Sequence, residues 1–159
     1  MVDKQKIKHI HGDEALLDQI KPLWESLNEH HRQNSPNFKE HYCQMTFQKR
    51  KYVLLKKAAL GKLRVDLAVD EASGQSVGYC ISSLDSEKTG EIESIFVDAA
   101  YRRIGIGDSL MKNALSWMER EGALAKTVEV AAGNEEAFGF YVRFGFLPRK
   151  TLLKQIKKA

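Results

Sequence analysis

The spacing of apolar positions changes several times along the chain, and each change marks an element. Leu16, Leu17, Ile20, Leu23, Trp24 and Leu27 recur at a period near 3.6 and predict an amphipathic helix, with Asp13 placed to cap it. Pro22 falls inside that stripe and predicts a kink or a restart near Lys21. Leu63, Val65, Leu67 and Val69 instead alternate with Arg64, Asp66, Ala68 and Asp70, the pattern of a half-buried strand. Ile92, Ile95, Phe96 and Val97 are β-branched or aromatic, as in a strand that is mostly buried. Ile106, Leu110, Met111, Ala114, Leu115 and Met118 then return to helical spacing, and Gly122 supplies a stop.

The remaining elements follow from weaker signals. Lys6 to His11 reads as a first short strand, and the polar run from Asn28 to Pro36 as a helix end and loop. A second helical segment is predicted from Phe38 to about Leu60, with a break near Lys49-Arg50-Lys51 left open. Val77 to Leu84 is the antiparallel partner of the alternating strand. Thr127 to Ala131 reads as a strand, Asn134 to Phe144 as a short helix, and Leu147 to Ile156 as a final strand. Separate helices followed by a strand meander and one strand–helix–strand crossover predict an α+β fold with a mostly antiparallel sheet. Residues 1–159 are expected to form a single domain.

Composition narrows the setting. With 43% hydrophobic and 29% charged residues and no apolar run of membrane-spanning length, a soluble globular protein is expected. Met1 to Lys6 leads into no signal-peptide core, and Cys43 and Cys80 are too few for a disulfide framework, so the expected compartment is the cytoplasm. The formal charge of +4 is concentrated at Arg149, Lys150, Lys154, Lys157 and Lys158. A solvated basic surface is the commonest meaning of such a run. Without a recognisable reading helix, neither nucleic acid nor membrane is an expected partner, and a homodimer stays open.

The chemistry concentrates between Val97 and Gly107, where a strand turns into a helix. The first backbone N–H groups of that helix have no partner within it, and Gly105 and Gly107 remove the Cβ atoms that would keep a ligand off the backbone. An anion suits that place. It is not a dinucleotide fingerprint, because Leu110 stands where a third glycine belongs. Nor is it a nucleoside-triphosphate loop, because Asp108 follows Gly107 where lysine is required.

Arg102-Arg103-Ile104-Gly105-Ile106-Gly107 does fit the pattern Arg/Gln-x-x-Gly-x-Gly/Ala. With Glu129 to Asn134 and then Ala137 to Phe146, which places Tyr141 four residues after Ala137, the chain resembles the GNAT superfamily of acyl-CoA-dependent N-acyltransferases. The resemblance covers about Gly90 to Pro148. The chain departs from the family pattern in two ways: many relatives have proline where Ala99 or Ala100 stands, and glycine where Arg103 stands.

The resemblance implies a GNAT-like mixed sheet with helices on both faces and a splayed parallel strand pair at the cofactor site. It implies acetyl-CoA as acyl donor, no metal, and direct transfer of the acetyl group to the primary amine of a small molecule, peptide or protein. The pyrophosphate would lie on the backbone of about Arg103, Ile104, Gly105, Ile106, Gly107 and Asp108, with Arg102 also among the cofactor-binding residues. The pantetheine arm would run along Ile95, Phe96 and Val97, with Asn134 beside it. Tyr141 is the implied acid, since a phenol stays protonated at neutral pH. Glu129 and Glu91 are the implied candidates for the base, ahead of Glu93. Asn28, Glu29, His30 and Arg32 are candidates for the acceptor side. His30, His31, His41 and Cys43 lack a paired zinc-ligand spacing. The alternative function is an acyl-CoA-binding sensor without turnover.

Overall fold

The computed structural model describes residues 6–157; the leader reading at residues 1–5 and the basic Lys158 fall outside them. Asp13 accepts a hydrogen bond from the Ala15 N–H and opens a 3-10 turn over Glu14–Ile20. The α-helix restarts at Lys21, as Pro22 requires: proline is tolerated in a first turn, where its missing N–H has no bond to lose.

This helix, α1 (Lys21–Asn34), runs further than expected. Its polar end stays helical because Glu29 is bonded by Arg32 and Gln33 at helical spacing, and it stops only at Ser35. The second helical segment divides into α2 (Lys39–Gln44) and α3 (Phe47–Leu60). The break falls at Met45-Thr46, where the Thr46 hydroxyl caps the Lys49 N–H at 3.2 Å, and Lys49-Arg50-Lys51 lie inside α3.

Five strands form one sheet in sequence order: β1 (Ile7–Gly12), β2 (Lys62–Asp70), β3 (Ser76–Leu84), β4 (Thr89–Val97) and β5 (Ala125–Val128). Neighbours from β1 to β4 are antiparallel, and β4 and β5 are parallel. α4 (Ile106–Arg120) makes the crossover between those two, and α5 (Phe138–Val142) follows β5.

Helices cover both faces. Leu17, Ile20, Trp24, Phe47 and Leu54 pack on Val65, Leu67, Tyr79 and Ile81 on one side. Leu110, Met111, Ala114 and Met118 of α4 pack on Ala68, Val77, Cys80 and Ile92 on the other. β2 is thus buried on two faces rather than half-buried as its alternation predicts, and even Asp66 is buried, accepting from Nε and Nη2 of Arg64, each at 2.8 Å.

The C-terminal expectation is corrected. Residues 147–157 form no strand and are exposed throughout. Strand-like composition makes a strand only where the segment pairs with an edge, and among the described residues this one pairs with none.

Candidate active site

The parallel pair parts half-way along β4. Thr89 to Ile92 pair with Ala125 to Val128, and the register ends there, while β4 continues to Val97. From Glu93 onward no strand among the described residues pairs with the outer edge of β4. A cavity of about 80 Å³ occupies the opening, lined by Ile92–Ile95, by Val128–Ala131, by Asn134 and Tyr141, and by Leu27 and His31 of α1.

The cradle follows directly. Asp98 donates its N–H to the Val77 carbonyl at 2.8 Å, and its carboxylate accepts from Ala100 at 2.9 Å. The Tyr101 hydroxyl donates to Asp70 at 2.7 Å, which ties the turn to the end of β2. Gly105 then adopts φ +87°, in the left-handed region, although open space surrounds it; glycine is required here by conformation.

The first hydrogen bond of α4 runs from Ser109 to Gly105. Among the described residues nothing accepts from the backbone N–H groups of Arg103, Ile104, Gly105, Ile106, Gly107 or Asp108. A row of free N–H groups at the positive end of a helix of this length favours a negative ligand by about 0.3–1 kcal/mol per charge from the dipole alone. Asp108 would oppose this, but Arg143, which follows α5, pairs with it. Arg102 lies 5.3 Å from the Phe96 ring and donates to the Val97 carbonyl at 2.9 Å.

Tyr141 and Glu129 meet at the cavity, and Ile95 lines it from β4. Burial pushes the Tyr141 hydroxyl up to about 12, and among the described residues nothing hydrogen-bonds it. Glu129 is exposed and carries no ion pair among those residues.

Glu91 is engaged rather than free: Lys57 of α3 donates to it at 2.9 Å. Burial raises its pKa against the opposing Lys57 bond, and the charges of Glu93 and Glu129 add to the rise. Glu93 is more tightly held, its side chain 1% exposed and bonded by Lys57 at 2.5 Å, Arg50 at 3.0 Å and Ser83 at 2.6 Å. Burial pushes that carboxyl up, but these donors outweigh it and hold it below the usual value. A carboxylate held by two cations and a hydroxyl braces α3 against β4 and is a poor base.

Asn134 stands at a helix start without capping it; its Oδ1 lies 3.3 Å from Nε2 of His30. Of the acceptor-side candidates, Glu29 and Arg32 bond each other, and Asn28 braces α2 through the Tyr42 and Met45 carbonyls at 2.9 and 3.4 Å. His31 lines the cavity, whereas the acceptor-side candidates from the sequence include His30 and not His31. Its Nδ1 is buried without a partner among the described residues, and burial, then the neighbouring His30, lowers its pKa. Gly133 is a second residue the sequence hid. A Cβ there would come within 2.0 Å of the Asn34 carbonyl, so the loop carrying Asn134 seats directly on the end of α1.

The same arrangement, from Trp24 in α1 through the cradle to the end of α5, falls within a match to the family model of the acetyltransferase (GNAT) family over residues 24–146. The chain belongs to the GNAT acetyltransferase family. A relative described as an uncharacterized N-acetyltransferase, from Methanocaldococcus jannaschii, is 30% identical over 99 residues; the match takes in 57% of this chain and 44% of the relative, so the chain spans less than half of that protein. Among solved structures, a putative acetyl transferase from Pyrococcus furiosus superposes with a TM-score of 0.71 at 22% identity, over 96% of this chain and 100% of the other. The PaiA N-acetyltransferase from Thermoplasma acidophilum, in complex with coenzyme A, gives 0.70 at 19% identity over 92% of each chain. At these identities the likeness is one of fold.

Within the GNAT frame the departure at position 103 has a visible consequence. Arg103 adopts φ +65°, a left-handed conformation that glycine takes without strain and arginine does not.

Proposed function

We propose that this GNAT chain transfers an acetyl group from acetyl-CoA directly to the primary amine of a small molecule, peptide or protein. The observation that carries the reading is the row of unpartnered N–H groups from Arg103 to Asp108, which lies at the end of a strand whose free edge leads to an unbonded tyrosine hydroxyl. Acetyl-CoA would bring an acyl group already activated as a thioester. The backbone from Arg103 to Asp108 holds the pyrophosphate, with the Arg102 and Arg103 cations alongside. Ile95, Phe96 and Val97 offer the free backbone edge of β4 to the amides of the pantetheine arm, and Asn134 faces it across the splay.

Glu129 takes the amine's proton, directly or through water, as the C–N bond forms. Tyr141 gives its proton to the sulfur as the C–S bond breaks. Glu129 is preferred to Glu91 as the base because it lines the cavity unpaired, whereas Glu91 is held by Lys57. Positioning the two reactants contributes roughly 7–11 kcal/mol, more than either proton transfer. Cys43 and Cys80 are both free thiols, in keeping with a reducing compartment such as the cytoplasm.

Calorimetric titration with acetyl-CoA, followed by CoA-thiol release over a panel of primary amines, tests the reading. Binding with thiol release that depends on the amine supports it. Binding without release for any amine would leave an acyl-CoA sensor, and no binding would overturn the site.

A further inference from the structure

The last turn of α1 and the loop that carries Asn134 are fitted to each other. Gly133 leaves no room for a Cβ against the Asn34 carbonyl, so the loop sits directly on the helix end. One turn back along α1, His30 faces the same loop. Its Nε2 lies 3.3 Å from Oδ1 of Asn134 and 3.6 Å from a carboxylate oxygen of Glu136.

The hydrogen bonds at this junction run in one direction. Asn34 donates from Nδ2 to the His30 carbonyl at 2.8 Å, which fixes the orientation of the Asn34 amide. The same Nδ2 lies 3.4 Å from Nδ1 of His30. A carboxamide nitrogen only donates, so Nδ1 is the bare nitrogen of the neutral ring and Nε2 carries the proton. Nε2 therefore donates, and the Glu136 carboxylate beside it, which only accepts, demands the same tautomer. The order is Asn34 to His30 to Asn134, and it selects one of the two orientations of the Asn134 carboxamide, with Oδ1 toward α1. Asn134 lines the cavity, and among the described residues nothing accepts from its Nδ2.

We propose that His30 is a positioning residue, which holds the Asn134 carboxamide so that Nδ2 is presented to a carbonyl oxygen of the pantetheine arm; this rests on the reading of the cleft as an acetyl-CoA site. A terminal carboxamide turns through a broad, roughly two-fold torsion, so an untethered Asn134 would offer its oxygen as readily as its nitrogen. Oxygen against carbonyl oxygen repels. The bond from His30 removes that unproductive half, and it places His30 on the cofactor side of the cleft, where the sequence had made it a candidate for the acceptor side.

Two measurements test the role. In the protein without cofactor at alkaline pH, long-range proton–nitrogen NMR correlations across the imidazole report the tautomer of His30. A protonated Nε2 is expected, and a protonated Nδ1 would overturn the proposal. Calorimetry with acetyl-CoA then follows a cycle through His30→Leu, Asn134→Ala and the double variant. The His30 side chain is 37% exposed, so leucine opens no buried cavity, and cooperative thermal unfolding checks each variant. His30→Leu is expected to weaken acetyl-CoA binding roughly three- to tenfold, the worth of one hydrogen bond, and to have no further effect once Asn134 is alanine. His30→Gln keeps an N–H donor at similar reach and should restore most of the affinity, with the KM for the amine unchanged throughout. Equal losses from His30→Leu in both backgrounds, no rescue by glutamine, or an effect confined to the amine KM would overturn the positioning role. A wild-type chain that binds no acetyl-CoA would overturn the reading of the cleft itself, whereas one that binds it without coupling between His30 and Asn134 would overturn this proposal alone.

Discussion

Lys57 of α3 reaches Glu93 of β4 at 2.5 Å and Glu91, two residues earlier on the same strand, at 2.9 Å. One ammonium group therefore locks a helix to the strand that carries the proposed cofactor edge, and it does so beside the cavity.

Replacing Glu93 by Gln leaves Lys57 and Arg50 facing a neutral group. Both cations reach solvent in part, so the expected loss is about 2–3 kcal/mol, at or below the lower end of the range for breaking a buried pair. The Glu93 pKa is lowered in the fold, so its stabilisation is complete above the unfolded value near 4.5 and is lost as pH falls through the folded value. Urea unfolding across the acid range should show wild-type stability falling below pH 4.5 and a flatter curve for the variant.

Tyr141→Phe removes the proposed acid and leaves the ring packed beside Phe140 and Phe146. Turnover is expected to fall by roughly 10²-fold or more, with acetyl-CoA affinity unchanged by calorimetry. Because burial places the hydroxyl near 12, the loss should be constant across neutral pH. Unchanged turnover would remove Tyr141 from the mechanism.

Arg103→Gly relieves a left-handed arginine. The conformation costs roughly 1–2 kcal/mol, and glycine's greater freedom in the unfolded chain returns about half of that, so a net gain of about 0.5–1 kcal/mol is expected in thermal unfolding. Acetyl-CoA affinity should fall at low salt, since a cation leaves the cradle. If unfolding is not shifted upward, the cradle conformation at Arg103 is not strained in solution.

His31 is held below its ordinary 6.5 by burial first and by His30 second, with Tyr42 of α2 packed 5.5 Å away and Glu93, Glu129 and Tyr141 lining the same cavity. The unfolded chain takes the proton first, so wild-type stability falls as pH drops from 6.5 through the folded value. His31→Gln should flatten that part of the curve. An NMR titration placing His31 at or above 6.5 would contradict the burial.

The local chemistry of this protein was written in its sequence. The 3.6-residue stripes, the restart at Pro22, the alternation in β2 and the glycines at 105 and 107 depend on neighbours along the chain, and the folded protein carries each of them where the pattern places it. The proposed acid was visible too, because Tyr141 belongs to a motif of fixed spacing.

What the sequence could not decide are relationships between distant segments. Glu91, Glu93 and Glu129 read alike as strand carboxylates, and only packing gives Glu93 two cations and a hydroxyl while leaving Glu129 unpaired. His30 and His31 are adjacent and identical, yet the helix turns one toward Asn134 and buries the other against the cavity. Gly133 is fixed by a carbonyl about a hundred residues away, and the strand-forming residues from Leu147 to Ile156 pair with no strand among the described residues. Propensity is a property of a segment, whereas pairing, burial and charge compensation belong to whatever the fold sets beside it.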